Sequence, residues 1–157
     1  MPKANELYEQ DFLLWTKEQA TALRRATGSN LPLDWENLAE EIESLGASQR
    51  TELNSQIRRV LRHLFRLEAS RAVDPRAGWR AIVRDARIEI EDLLETNPSL
   101  RREIYAVSKR QTTTAAKLAS HDLEDHGESA DAVWARLEKG GFTAEQILGD
   151  WFPEASS

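Results

Sequence analysis

The sequence predicts an all-α protein, an up-and-down bundle of six or seven helices, and three observations predict it. Apolar residues recur at spacings of three and four through most of the chain, the period of a helix buried on one side. Aspartate-proline and asparagine-proline pairs stand where helices would begin, and glycines stand where they would end. Only 7 glycines and 5 prolines occur in 157 residues, too few for the turns of an all-β chain.

The first helix pattern runs from about Glu9 to Thr27 and stops at Gly28-Ser29-Asn30 before Pro32. Tyr8, Phe12, Trp15, Ala22, Leu23 and Ala26 share one face. Leu13 and Leu14 fall outside it, so the helix is apolar on two sides. Such a helix lies between others or offers its second side to a partner protein or a second copy.

The organising stretch is Leu33 to Arg71. Asp34 can accept from the free amides of a first helical turn and reads as the N-cap. Trp35, Leu38, Ile42 and Leu45 then form the expected buried stripe, with Glu36, Glu40 and Glu43 facing water. Glu41 lies at the edge of the stripe, where a carboxylate needs an ion-pair partner or serves as a ligand. Gly46 punctuates the pattern, which resumes with Leu53, Ile57, Val60, Leu61, Leu64, Phe65 and Leu67. His63 flanks that second stripe beside Arg59 and Arg66. A packed ring with one bonded nitrogen is its structural reading, and a general base or ligand its functional one.

Val73-Asp74-Pro75 opens a helix to about Thr96, with Trp79, Ile82, Val83, Ala86, Ile90, Leu93 and Leu94 on one face. Arg80, Arg84 and Arg87 make a stripe along its edge, and Glu91 lies one turn from Arg87. Asn97-Pro98 opens the next helix, to roughly Asp122. Its expected seam is Leu100, Ile104, Val107, Gln111, Thr114 and Leu118. The short side chains of residues 111–116 would let a neighbour approach closely, and a polar seam could also line a cavity. Ala130 to Lys139 forms a short helix ended by Gly140-Gly141, and Thr143 with Gln146 makes a capping box for Ala144 to Leu148. The aromatics of Trp151-Phe152-Pro153 would pin the tail to the body. The whole is read as one domain over residues 1–157, a core bundle at about 5–122 with short helices at about 129–152.

Hydrophobic residues make up 40% and charged residues 31%, with no cysteine and a net charge of −6. No disulfide, thiol nucleophile or thiolate metal site can exist. No apolar run approaches a membrane span and the N-terminus lacks a signal-peptide core, so a cytoplasmic protein with no membrane partner is expected. Asp34 to Leu45 holds five acids and no base, whereas Arg50 to Ile90 holds ten arginines. Internal docking of acidic on basic segments accounts for this better than nucleic-acid binding, since the total is acidic. His121, Asp125 and His126 are the densest group of potential metal ligands. No second histidine-rich element completes a coordination set, so no metal or other cofactor is expected.

Leu7-Tyr8-Glu9-Gln10-Asp11-Phe12 with Trp15, and Leu33-Asp34-Trp35-Glu36-Asn37-Leu38 with Glu40-Glu41-Ile42-Glu43 and Gly46, resemble the DUF29 family. The resemblance continues through His63-Leu64, Trp79-Arg80, Leu93-Leu94 and Asn97-Pro98-Ser99-Leu100. It implies an almost wholly helical bundle from a bacterial family with no assigned biochemical function, and transfers no catalytic residue. Two functional classes follow from the residues. One is a non-enzymatic interaction or regulatory module acting through helix faces. The other is an anionic-ligand or hydrolytic site where Glu41 orients His63 as base and Arg66, Arg80 or Arg87 anchors the anion.

Overall fold

The computed structural model describes residues 2–155 and is all-α. Seven α-helices and one 3-10 segment follow one another: α1 (Ala4–Gln10), α2 (Phe12–Arg25), α3 (Trp35–Ala69), α4 (Arg76–Thr96), the 3-10 segment Pro98–Glu103, α5 (Ile104–Asp125), α6 (Asp131–Glu138) and α7 (Ala144–Leu148). No strand occurs among the described residues. The chain groups into two compact units, residues 1–53 with 92–102 and residues 54–91 with 103–157. Helices α3 and α4 supply segments to both.

In the first unit, the expected single first helix is two. Asp11 is extended (φ −157°, ψ 94°) and divides α1 from α2. The break puts Tyr8 out of phase with α2, and within α2 the buried side lies about a quarter turn from the expected face, leaving Phe12, Trp15, Leu23 and Ala26 half-buried. Leu7, Leu13, Thr16 and Ala20 are buried, while Tyr8 is 49% exposed. The break is held by a reciprocal exchange of caps. Asp11 Oδ1 accepts from Leu14 N–H at 3.0 Å, capping α2, and its Oδ2 accepts from Ser99 N–H at 2.7 Å, capping the 3-10 segment. Asn97, fully buried, stands before the 3-10 segment, yet its side chain serves the other helix: Oδ1 accepts from Leu13 N–H at 2.9 Å. Its amide also donates to Gln49 Oε1 (2.9 Å) and Leu93 O (3.0 Å). Two first-turn amides that would otherwise lack partners are satisfied from distant parts of the chain.

Gly46 does not interrupt α3. It is buried in mid-helix, and a Cβ there would lie 2.3 Å from Thr16 Oγ1 and 3.0 Å from Leu13 Cδ1. The glycine marks a close approach of α2 to α3 rather than a helix end. Around it the buried face runs through Ala39 and Gly46, with Ile42 half-buried. Small residues bury where backbones come closest, and the larger Leu38 and Leu45 are turned outward. Asp34 caps α3 as expected, accepting from Asn37 N–H at 3.2 Å. Arg24 pairs at the surface with both Glu36 and Glu43, so those two acids are not simply solvated.

In the second unit the core is Ile57, Val60, Leu61, Leu64 and Phe65 of α3 with Trp79, Val83, Ala86 and Ile90 of α4. From α5 it takes Val107, Gln111, Thr112, Ala115, Ala116, Ala119 and Leu123. The expected α5 seam holds at Val107 and Gln111 and shifts by one position only beyond them: Thr114 is exposed, and its neighbour Ala115 is enclosed. The run of short side chains does admit a close neighbour. Gly141 (φ +80°), following Gly140 (φ +97°), sits so near Thr112 that a Cβ would meet Thr112 Cγ2 at 2.7 Å.

Thr143 and Gln146 form the reciprocal capping box at the start of α7. The tail is fastened by Arg87, which donates to the carbonyls of Ile147 (2.9 Å), Gln146 (2.8 Å) and Trp151 (2.7 Å) and lies over the Phe152 ring. Arg87 is therefore occupied by these carbonyls rather than by Glu91. Trp151 packs on Phe142, which meets Phe65 edge-on.

Candidate functional site

Of the five residues singled out from the sequence, His63 and Arg66 stand one turn apart on α3 in the second unit, whereas Glu41 belongs to the first. Glu41 and His63 lie on the same uninterrupted helix, about six turns apart at 3.6 residues per turn, so the carboxylate cannot orient the ring. The expected meeting of two central helices fails because Gly46 is mid-helix.

Glu41 is exposed in the first unit and has no hydrogen bond or ion pair among the described residues. Its neighbours on the wheel are Leu38 and Leu45, seven residues apart and hence two turns along one face. Leu38 is 39% and Leu45 51% exposed. Leu31 and Leu33, in the segment leading into α3, are also exposed. Two outward leucines with an unpaired carboxylate between them form a short apolar ridge with an acidic handle.

His63 belongs to a polar seam of the second unit. Its Nδ1–H donates to the Arg59 carbonyl at 2.8 Å, because a carbonyl can only accept. In the neutral ring this leaves the lone pair on Nε2. Only 9% of the residue is exposed. Burial chiefly, and then the charges of Arg66 and Arg62, push its pKa below the ordinary 6.5, outweighing the Arg59 bond and the Asp122 charge. Asp122, which sequence reasoning left unassigned, is the centre of the seam. Arg62 grips it bidentately, Nε to Oδ2 and Nη2 to Oδ1, each at 2.7 Å, and Arg66 stands 3.8 Å away. Burial raises the Asp122 pKa, but the Arg62 hydrogen bonds and both guanidinium charges overcome this and hold it below the usual carboxylate range. The available signal was Arg62 and Arg66 one turn apart, a fork awaiting an acid.

Arg66 also lies over the Trp79 ring at 4.4 Å. Arg80 is half-buried, with the Arg76 charge near it, and Arg87 is spent on the C-terminal carbonyls. Arg62, Arg66 and Arg87 tie elements together. His126 Nδ1–H donates to Asp122 O at the end of α5, and no group of three or more metal-ligating side chains converges among the described residues. No described helix is long and apolar enough to cross a membrane.

The seam carries a pH prediction. In the window between the depressed folded pKa of His63 and 6.5, the unfolded chain binds more protons than the folded one. The stabilisation from keeping the ring neutral is complete above 6.5 and falls as pH drops through that window. An NMR titration should give a His63 midpoint below 6.5, and His63→Gln should remove that part of the acid sensitivity. A midpoint above 6.5 would mean that Asp122 holds a charged ring.

No functionally curated protein matches the chain. A crystal structure of an α-helical protein of unknown function from Rhodospirillum rubrum ATCC 11170 is similar at 26% identity and a TM-score of 0.60, over 90% of this chain and 89% of that one. The model of the domain of unknown function DUF29 matches residues 7–152, nearly the whole length, and the chain belongs to the DUF29 family.

Proposed function

We propose that the protein is a non-enzymatic interaction module whose binding face is the Leu38–Leu45 ridge of α3, with Glu41 as its charged anchor. The observation that carries this reading is that two large leucines at two-turn spacing face solvent beside a carboxylate with no partner. An apolar helix face flanked by lysine or arginine is the complementary occupant. A second copy of this chain fits less well, because it would set acid against acid at Glu41 and Asp34. The rival reading, a hydrolytic or anion-binding site built on Glu41, His63 and an arginine, lacks support because Glu41 and His63 are turns apart on one helix and both Arg66 and Arg87 are engaged. Nucleic-acid binding through the middle segment lacks support for the same reason, since Arg62, Arg66, Arg76 and Arg87 have internal partners.

Quantitative affinity capture from the native cell tests the reading. The unmodified chain should retain a protein that the Leu38→Ser/Leu45→Ser variant loses, and Glu41→Lys should weaken retention by about fivefold or more, the effect of roughly one charge contact. All three positions are exposed, so the variants should keep the helical circular dichroism of the parent. Undiminished capture by the double serine variant would refute the proposal, as would a monomer that retains nothing.

A further inference from the structure

The first unit holds a second feature, carried by residues other than the leucine ridge. A cleft of about 370 Å³ is lined by Tyr8, Glu9, Phe12, Glu95 and Thr96. We propose that it binds an organic cation, an alkylammonium or guanidinium group. Its aromatic lining is Tyr8 and Phe12, and Trp15, which does not line the cleft, packs against both. Tyr8 stands at 80° to both Phe12 (5.8 Å between centroids) and Trp15 (4.9 Å), and Phe12 and Trp15 stack at 21°. Each ring is thus fixed by the other two, and Tyr8 still presents about half its surface to solvent.

The electrostatics select the ligand class. Ring faces are negative, and a cation close to one is attracted by the quadrupole. Glu9 and Glu95 add two carboxylates, both exposed, with no hydrogen bond or ion pair among the described residues. No lysine or arginine lines the cleft. An anion would be repelled by the two acids, and a neutral apolar ligand would have to desolvate them. A hard metal ion would want six or more oxygens and gain little from an aromatic wall. A soft organic cation uses both the rings and the acids.

The test is an NMR titration of the full chain, observing the aromatic ring signals. Tetramethylammonium and N-acetyl-arginine amide should shift the Tyr8, Phe12 and Trp15 resonances, and the neutral N-acetyl-citrulline amide should not. Glu9→Gln/Glu95→Gln, a surface change that leaves the fold intact by circular dichroism, should weaken binding about tenfold or more. A peptide with a central arginine, binding more tightly than the amide, would identify the cation as a partner's side chain. Equal or weaker binding of the peptide would identify it as a free amine or guanidine. The proposal fails if no ring signal moves at the highest soluble concentration, if citrulline amide acts like arginine amide, or if the double glutamine variant binds unchanged.

Discussion

Replacing Asn97 by leucine is expected to cost about 3 kcal/mol of folding free energy, although leucine is apolar and close in volume. Asn97 is fully buried, and its side chain is the partner of Leu13 N–H and Gln49 Oε1. The leucine would strand the buried Leu13 N–H, at roughly 1–3 kcal/mol for a buried group left unsatisfied, and would also remove the partner of the half-buried Gln49. Leu93 O would keep its other bond, from Asn97 N–H, and so adds little. Because the lost cap is that of α2, the damage should appear first as faster amide exchange at Leu13 and Leu14. Asp11→Ala should act at the same place, since Asp11 caps α2 and the 3-10 segment together. Urea melts of the two single variants and the double should show losses that do not simply add, the mark of one shared network. A loss under about 1 kcal/mol for Asn97→Leu, within the range of an unremarkable substitution, would mean that water serves those groups instead.

Gly46→Leu is the other large effect, expected at about 3 kcal/mol or more from overpacking. Gly46→Ala is the sharper experiment, because two effects oppose each other. Alanine gains about 1 kcal/mol in helix propensity at a mid-helix site. Against this, its Cβ would stand 2.3 Å from Thr16 Oγ1, a short branched side chain whose hydroxyl is committed to Leu13 O at 2.7 Å. Net destabilisation is therefore expected, and Thr16→Ala in the same chain should recover much of it. If Gly46→Ala stabilises instead, α2 and α3 do not approach as closely as described.

Helix content and most ends were legible because they depend on local chemistry. Asp34, the Thr143–Gln146 box and Gly140-Gly141 each act within a turn of themselves, and a linear reading finds them. Facing was harder. Tyr8 joins Phe12 and Trp15 in one stripe only while α1 and α2 are taken as one helix, and the break at Asp11 depends on Ser99, 88 residues away. Leu38 and Leu45 look buried if large means inside, but Ala39 and Gly46 fill that side because the neighbouring helix is so near. On α5 the seam passes through Ala115 rather than Thr114. Of the candidate site, His63 and Arg66 do share one edge, as their spacing implied. Their common partner Asp122 could not be read from α3 alone, and Glu41 was joined to them only by treating Gly46 as a helix end.

The interaction reading is tested most directly by placing a photo-crosslinking amino acid at position 38 or 45, and at exposed Glu18 as a control, in chains expressed in the native cell. Positions 38 and 45 are expected to give one shared covalent adduct with a different protein, through a segment carrying lysine or arginine beside apolar residues, and position 18 none. Adducts only with a second copy of the chain, the same products from all three positions, or none from 38 and 45 would contradict it.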